Sequence, residues 1–380
     1  MPNTFDALRP VLFGAMRDVS RSGIGLLHAC NTSFDSKGAA VGDVIKVPRV
    51  AAASNGDYTP AMSTTAGTDD TPTTDDVTVS RTRHNSFNIK HEDRRSLQIA
   101  GNYDEWIRLK TIAAITAIAN EAEQDAWLAA YKASSRAHGT AGTAPFASDL
   151  SALAQMNLIL NDNGCPQTDR HCVIDNTAVA NLQTRTQLTN VADAGTDKTL
   201  REGEIGRLLG FGMHRSGQIA QVTKGTGAGY LADLIAGYAI GDRALHVDTG
   251  TGTILAGDIV TFTGDTNKYV NNTAFAGDGD GDIALGRPGL RKTLANDVAM
   301  TIGNSYTPNL CLHRNALAGV VRPPIIDAAP NMTMEVITDE ESGLSILMIE
   351  IRGDGMDTMR AHLVSGFKAV SPEHIATLIG

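Results

Sequence analysis

The feature that most constrains this chain is a long stretch of strand-like sequence with little apolar side-chain volume of its own. Residues 43–50 and 77–91 alternate apolar and polar side chains, as β-strands do. Residues 51–76 between them are almost all Ala, Ser, Thr, Asp, Gly and Pro. An isolated two-stranded ribbon is marginally stable in water, so we expect a surface outside this arm to hold it. An arm that needs a neighbour favours a protein whose role is assembly.

Composition allows a large soluble core and argues against one class of partner. The chain has 380 residues, of which 42% are hydrophobic and 19% charged, enough for more than one domain. Its net charge of −10 argues against binding nucleic acid through a basic surface. The N-terminus lacks the pattern of a signal peptide, and no run approaches the ~20 apolar residues of a membrane span. We therefore expect a cytosolic product with no membrane partner.

The cysteines do not form a recognisable framework. Cys30, Cys165, Cys172 and Cys311 are scattered, and no C-x-x-C pair occurs. This spacing predicts reduced thiols in a cytosolic protein rather than a disulfide scaffold or a zinc site.

The strongest helix pattern runs from 104 to about 134. Asn102 followed by Glu105 is a capping-box pattern at its start. A helix of this length would measure ~45 Å, which favours a spine along the molecule, although a plain core helix fits the same pattern. Its apolar stripe consists of Ile112, Ile115, Ala119, Ala122, Ala126, Ala129 and Ala133.

The remaining chain predicts a mixed α+β protein without internal repeats. Residues 223–299 are rich in Gly, Asp, Thr and Asn with short strand patterns, which predicts an inserted small barrel or sandwich. The other predicted elements are a weak N-terminal helix (Phe5, Leu8, Leu12, Met16), a Gly-rich link at 137–145, a helix from Ser148 to Gly164, a strand at 172–176, a helix at 177–188, a helix, Gly stop and strand over 203–219, and a C-terminal sheet over 331–380.

A search for catalytic or metal-binding motifs finds little. No G-x-S-x-G, H-E-x-x-H or Walker-type phosphate loop occurs, so no enzyme activity or cofactor is predicted. Asp278, Asp280 and Asp282 begin like a calcium loop and are the candidate metal ligands. That pattern then fails, because Ile283 stands where Gly is needed and Gly289 where Glu is needed. A solvated acidic turn is the favoured interpretation.

A basic cluster lies on the second strand of the arm and just after it. In an acidic chain, such a stripe favours pairing with an acidic patch on a neighbouring copy, which fixes register more than it adds energy. A solvated strand edge and contact with enclosed nucleic acid are the alternatives. The candidate intersubunit residues are Arg81, Arg83, His84, Lys90, Arg94 and Arg95, with His91 among them.

The order of these parts resembles the tailed-phage major capsid proteins of the HK97 type, and within them the P22 coat-protein family. The arm, the spine helix and the returning C-terminal sheet occur in the order that this family shows. The segments that carry the resemblance are GEIGRLLGFGMHRSGQI (203–219), AGDIVTFTGDTNKYV (256–270), NLCLHRNALAGVVRPP (309–324) and the C-terminal stretch 342–380.

The resemblance implies an HK97-like fold with an extended E-loop, a long spine helix, a mixed α/β A-domain and an inserted β-rich domain. It also implies a coat protein that forms pentamers and hexamers of an icosahedral virion shell around double-stranded DNA, assembled in the host bacterial cytoplasm. The implied division is an N-terminal arm (1–42), the E-loop (43–93), the P-domain with its spine helix (94–145), the A-domain (146–222), the inserted domain (223–299), the A-domain return (300–330) and the P-domain sheet (331–380).

Two features of the family can be compared with this sequence. Some relatives crosslink subunits through an E-loop lysine, but 51–76 contains no Lys, so we expect a shell held without covalent crosslinks. The arm begins by about residue 43, which leaves little room for a cleaved scaffolding segment. We therefore expect a separate scaffolding protein, together with a portal protein, as partners.

The Gly-rich segments at 137–143 and 223–229 are candidate hinges for shell expansion.

Three other hypotheses about the function remain open. An encapsulin-like compartment would use a related fold to enclose an enzyme, and neighbouring portal and terminase genes would exclude it. A β-rich virion or adhesin protein would use 223–299 as a binding module. A soluble enzyme is the third, and no motif supports it.

Overall fold

The computed structural model describes residues 11–12, 14–15, 24–32, 40–49, 73–190, 205–277, 279–327, 329–338 and 344–380. Within them the chain is a mixed α+β protein, as the sequence predicts. The helices are α1 (Leu26–Ala29), α2 (His91–Ile99), α3 (Tyr103–Ala133), α4 (Ser151–Asp162), α5 (Asn176–Gln183) and α6 (Thr186–Thr189).

The strands form three sheets. In chain order they are β1 (Val44–Arg49), β2 (Thr73–Thr78), β3 (Arg81–Lys90), β4 (Arg136–Gly139), β5 (Arg170–Ile174), β6 (Arg207–Leu208), β7 (Phe211–Arg215), β8 (Leu231–Ala232), β9 (Ala244–Gly250), β10 (Ile259–Phe262), β11 (Lys268–Val270), β12 (Gly279–Ala284), β13 (Val298–Ile302), β14 (Pro308–His313), β15 (Leu317–Arg322), β16 (Met332–Thr338), β17 (Ser345–Arg352), β18 (Met356–Ala369) and β19 (Ile375–Ile379).

The spine helix α3 lies across a five-stranded sheet. The 14-residue strand β18 pairs with β3 along one edge and with β17 and β15 along the other, and β16 closes the sheet beyond β17. Ile115 and Ala119 of α3 pack with Met359 and Leu363 of β18 in one buried cluster. The small alanines let the helix approach the sheet closely. The helix spans Tyr103–Ala133, which confirms the predicted helix of residues 104–134 within one residue at each end.

A twelve-stranded sheet forms the other part of the molecule, with the order β12-β9-β8-β13-β10-β11-β4-β19-β14-β5-β7-β6. Alternate residues of its central strands face opposite ways. Leu310 and Leu312 join the cluster around α3, whereas Cys311 joins a second cluster with Leu153 and Met156 of α4. The C-terminal strand β19 runs parallel to β4 in this sheet and antiparallel to β14.

Strands β8 to β13 surround a separate core inside the turn-rich segment. Tyr230, Phe262 and Tyr269 are its largest fully buried side chains, and β11 pairs with β4 to join this core to the rest of the sheet. Gly225 donates its N–H to the Asp258 carboxylate, and a Cβ there would lie 2.3 Å from the Thr253 carbonyl oxygen. Close packing explains this glycine, and the role of the segment 223–229 as a hinge stays a prediction.

Two local predictions need correction. No helix occurs over the described residues of 203–219, which form the hairpin β6–β7 with Leu209 and Gly210 at positive φ. The predicted strand 77–91 is two strands, because the chain changes partner from β1 to β18 at residues 79–80. Strand β15, which ends before residue 330, pairs with β18, which follows it, and the division into domains stays a prediction. The N-terminal helix pattern lies mostly outside the described residues; Leu12 is buried.

Candidate intersubunit surface

The ribbon β1–β2 is rooted on the protein's own five-stranded sheet. Val47 and Val77 of the ribbon and Val79 just beyond it are buried against Val320 and Val364. The sequence led us to expect that an outside surface holds this arm. For the described residues, that surface belongs to the same chain, because β15 and β18 offer an apolar strip that the ribbon root covers.

The described part of the ribbon ends at its outermost pair. Among the described residues, Arg49 and Thr73 are the last that pair, so the chain leaves and returns at one point. Residues 50–72, which we call the excursion, lie outside the described residues. Their sequence has three large apolar side chains, Val50, Tyr58 and Met62, and carries aspartates but no Lys or Arg. Val44 on the ribbon itself is 49% exposed.

Two members of the basic cluster make ion pairs within the chain. Arg83 Nε lies 2.9 Å from Glu121 Oε2, and Arg81 Nε lies 3.3 Å from Asp125 Oδ2, both on α3. They occupy the helix-facing side of β3, at odd positions in register with Leu363 and Ser365. These partly exposed pairs align β3 with the helix and contribute little stability. Their predicted contact with a second copy stays a prediction.

Two further members of the basic cluster, Arg94 and His91, fix the start of α2. Arg94 Nη1 lies 3.0 Å from Asp357 Oδ2, and His91 Nε2 lies 3.2 Å from Oδ1 of the same buried carboxylate. The Arg94 guanidinium also lies over the Tyr103 ring, 5.6 Å from its centroid. Burial raises the pKa of Tyr103. Arg95 is exposed beside this site.

The remaining basic residues lie on the face of the sheet that points away from α3. His84 is in register with His362, and their rings stack with centroids 5.4 Å apart. Burial, then His84 and Arg360, lower the pKa of His362. Arg360 Nε and His362 Nε2 are buried and have no hydrogen-bond partner in the described part of the chain. Exposed Lys90 lies on the same face, where its ammonium is accessible to a partner.

The acidic turn is closed by a histidine. His246 Nε2 lies 2.7 Å from Asp280 Oδ1, and its Nδ1 lies 2.8 Å from Asp282 Oδ1. Because both ring nitrogens face carboxylates, the imidazolium form is favoured, and the hydrogen bond to Asp282 raises the pKa of His246. Asp278 lies outside the described residues. Among those described, no group of three or more His, Cys, Asp or Glu is placed to hold a metal.

Sequence reasoning missed a buried carboxylate that ties the N-terminal segment 24–32, here called the strap, to the spine helix. Glu123 accepts hydrogen bonds from the backbone N–H groups of Gly25, Leu26 and Leu27 at 2.7–3.1 Å, and it is 1% exposed. Burial raises its pKa despite these bonds. In the sequence it is one of several polar residues near the exposed Glu121, and nothing local distinguishes it.

A line of histidines joins the strap to the twelve-stranded sheet. His171 Nε2 lies 3.0 Å from Asp169 Oδ1, and His171 Nδ1 lies 2.9 Å from His214 Nε2. If His171 donates to the carboxylate, its other nitrogen accepts from His214. His28 of the strap stacks on His214 with centroids 6.2 Å apart. Burial, then His171, His28 and Arg314, lower the pKa of His214 to about 4.

Large apolar side chains are exposed on several elements. Ile235, in the loop between β8 and β9, is 94% exposed, and Leu234 and Ile240 are exposed near it. Leu209 on the β6–β7 turn and Leu158 on α4 are also exposed, and Asn157 Nδ2 donates to the Leu209 carbonyl at 2.8 Å. Scattered exposed apolar residues are normal, but clusters of this kind mark interaction surfaces.

One half-open cavity lies where β10 and β11 meet the C-terminal strand. Lys268, Tyr306 and Ile379 are among the residues that line it. The Lys268 ammonium donates to the Gly139 carbonyl, and burial raises the pKa of Tyr306, whose hydroxyl donates to the Gly257 carbonyl. These groups serve the local structure. Within the described ranges, no helix combines the length and apolar character needed to cross a membrane.

Comparisons with known proteins give structural similarities only. No family model matches the sequence, and no curated protein does. A chain from Mycobacterium phage Che8 is 19% identical, with 89% of this chain and 84% of that chain covered and a TM-score of 0.45. A chain in the capsid of Cyanophage P-SCSP1u is 13% identical, with 90% and 84% covered and a TM-score of 0.43.

A third similar chain, from a virus-like particle of Pyrococcus furiosus, is 8% identical, with 97% and 98% covered and a TM-score of 0.44. At TM-scores below 0.5 these likenesses support no inference about this chain, and we draw none from them.

Proposed function

We propose that this chain is a major capsid protein of a tailed double-stranded DNA bacteriophage, which acts by assembling with copies of itself into an icosahedral shell. The observation that carries the proposal is the ribbon β1–β2, which is rooted on its own sheet and leads, at Arg49 and Thr73, into 23 residues with few large apolar side chains. A rigid root combined with an outer segment that has little to bury within its own chain suits a contact between copies.

The reach of the excursion supports this role. Its 23 residues leave and return at the paired Arg49 and Thr73. A hairpin made from them would extend up to ~38 Å beyond the ribbon, at about 3.3 Å per residue. That length exceeds what three large apolar side chains can hold folded alone. A neighbouring copy would supply the missing surface.

The exposed surface supports many weak contacts rather than one tight site. The outer face with His84, Lys90, Arg360 and His362 offers donors, and the loop around Ile235 offers apolar contact. Contacts that are weak singly become strong when each copy makes several of them. No catalytic step is part of this role.

The finer proposals follow from the sequence resemblance. They are membership of the P22 coat-protein family, pentamers and hexamers of one chain, a separate scaffolding protein, a portal protein and enclosed DNA bound without sequence specificity. The excursion has no Lys, so we propose a shell without covalent crosslinks through it. The site of action would be the virion, assembled in the bacterial cytoplasm.

Replacing the excursion tests the central claim directly. Arg49 and Thr73 are paired, so a two-residue Asn-Gly turn can join them as a type I′ hairpin. We expect the shortened chain to keep its circular dichroism spectrum and thermal midpoint, because the ribbon root is unchanged. We expect it to lose closed particles in negative-stain microscopy and sedimentation, where the full chain forms them.

A matched control replaces residues 50–72 by a Gly/Ser linker of equal length, which keeps the connection and removes the side chains. It should also fail to assemble. The assembly role would be contradicted if the full chain stayed monomeric at every concentration, both alone and when its neighbouring genes are expressed with it. Particles that hold an enzyme instead of nuclease-protected DNA would replace the phage shell with a protein compartment.

A further inference from the structure

Two buried cysteines face each other in the twelve-stranded sheet. Cys172 on β5 is directly opposite Cys311 on the antiparallel strand β14. Their Sγ atoms are 2.8 Å apart, and both side chains are fully buried. Two thiols at this distance are closer than in ordinary van der Waals contact, so they form a distinct pair within the four free cysteines of the chain.

Strand geometry places this pair where a disulfide fits. Directly opposed residues of antiparallel strands have Cα atoms ~4.5–5.5 Å apart, inside the range of ~4.4–6.8 Å that disulfides span. Both side chains point to the same face of the sheet, because opposed residues share a face. Closing the bond therefore requires side-chain rotation and no movement of the strands past each other.

The surroundings keep the pair reduced while the protein stays folded. Cys172 and Cys311 lie in the cluster that α4 and α5 cover, with Leu153, Ala178 and Leu378. Burial, and then Cys172, raise the pKa of Cys311 well above its ordinary value. Since the thiolate is the attacking species, exchange waits for a transient opening of this part of the sheet.

We propose that Cys172 and Cys311 form a latent intrachain disulfide, reduced in a reducing cytosol and closed once the protein meets a low-molecular-weight disulfide. In the first step one cysteine, as its thiolate, attacks oxidised glutathione, which forms a mixed disulfide and releases one glutathione. The second cysteine attacks the protein sulfur of that mixed disulfide and releases the other glutathione. The two cysteines lose two electrons and two protons, and one glutathione disulfide becomes two thiols.

The bond would restrain a large part of the chain. The two cysteines are 139 positions apart, and the chain between them includes the whole unit β8–β13. A crosslink of this span restricts the unfolded state while leaving the folded sheet in place. It is a link within one copy, and it does not depend on the proposed shell.

Peptide mapping of the full chain tests the proposal. Reduced protein is incubated with oxidised glutathione in urea concentrations from zero up to the unfolding midpoint, quenched in acid, denatured and alkylated. We expect the number of alkylated thiols per chain to fall by two and a crosslinked peptide pair containing Cys172 and Cys311 to appear. The thermal midpoint should rise without reductant and return when dithiothreitol is added.

Two variants sharpen the result. Cys172→Ala should abolish the crosslink and the reductant-dependent midpoint, whereas Cys165→Ser, in the same cluster but away from the pair, should keep both. The wild-type map needs no variant, so it decides the matter even if Cys172→Ala folds poorly. Alkylation of Cys172 and Cys311 at every urea concentration, or a crosslink that joins either of them to Cys30 or Cys165, would overturn the proposal.

Discussion

The strap, which contains the short helix α1, and the ribbon, which is formed by two strands, dock on the same body in different ways. Ile24, Leu26 and Leu27 of the strap are buried, and Glu123 caps the backbone that carries them. The ribbon buries Val47 and Val77 at its root, while Val44 stays half-exposed. The described strap is therefore buried within one chain, and the described ribbon is only partly buried.

This difference separates what holds one copy together from what is available to a second. A buried carboxylate that accepts backbone N–H groups leaves no surface for a partner and is costly to disturb. The ribbon root is a small apolar contact, so it can be weakened without unfolding the body. Substitutions in the strap should therefore act on stability, and substitutions in the ribbon should act on assembly as well.

The largest effect is expected at the strap. Glu123→Ala leaves the N–H groups of Gly25, Leu26 and Leu27 buried without their acceptor, so we expect a loss of about 2–5 kcal/mol in the free energy of unfolding. Urea denaturation measures it. Glu121→Ala, on the same helix but half-exposed, should cost no more than about 1 kcal/mol. Equal effects would mean that Glu123 does not anchor the strap.

The second prediction concerns pH at the contact between strap and sheet. His214, whose pKa lies near 4, faces His171, His28 and Arg314, and Asp169 faces His171. Between pH 6.5 and 4 the unfolded chain binds more protons at His214 than the native chain does. The stability from this group is therefore present above pH 6.5 and is lost as the pH falls through the window, by roughly 3 kcal/mol in all.

Replacing His214 with Gln should flatten this part of the stability profile, measured by urea denaturation at a series of pH values. The control is His246→Gln, because the pKa of His246 is shifted the opposite way. That variant should keep the slope below pH 6.5. A His214→Gln profile parallel to the wild type would show that His214 does not titrate as inferred.

A smaller effect on stability is expected at the ribbon root. Val77→Ala removes two methyl groups from a fully buried site, so we expect a loss of about 2 kcal/mol by thermal or urea denaturation. Val44→Ala, half-exposed on the same ribbon, should change stability by less than about 0.5 kcal/mol. The same two variants can be compared in a particle-assembly assay. A larger assembly defect from Val44→Ala than from Val77→Ala would place Val44 in the contact between copies.

The smallest effect belongs to the ion pair of Arg83 and Glu121. A double-mutant cycle with Arg83→Ala and Glu121→Ala should give a coupling free energy of about 0.2–1 kcal/mol in the single copy, because both side chains are about half-exposed. If Arg83 also contacts a second copy, Arg83→Ala will reduce assembly more than Glu121→Ala does. Equal assembly of the two variants would limit Arg83 to its own chain.

Elements with strong periodicity could be predicted, and contacts between distant segments could not. The pattern from Asn102 onwards located the spine helix closely, because a 31-residue helix repeats its signal over many turns. The helix predicted within 203–219 was wrong. Leu208 and Leu209 are residues that helices favour, but here β6 pairs with β7 and forms a hairpin. A short segment repeats its apolar pattern too few times to distinguish a helix from a hairpin.

The candidate site was divided by the fold in a way that spacing could not show. The sequence placed Arg81, Arg83 and His84 in one cluster, but successive residues of a strand face opposite sides. The structure therefore gives the two arginines to α3 and leaves His84 with His362 on the outer face. Which of these basic side chains can contact a partner depends on which face of the sheet the helix covers.

By itself, the sequence determined the spine helix, the turn-rich β unit and an arm too poor in apolar side chains to stand alone, since each follows from local periodicity or composition. The tertiary structure alone decided that the ribbon is rooted on β15 and β18, that Glu123 holds the strap, and that Cys172 faces Cys311. Those outcomes depend on strand register and on contacts between residues about a hundred or more positions apart. Local sequence does not encode such contacts, because many partners would satisfy the same pattern.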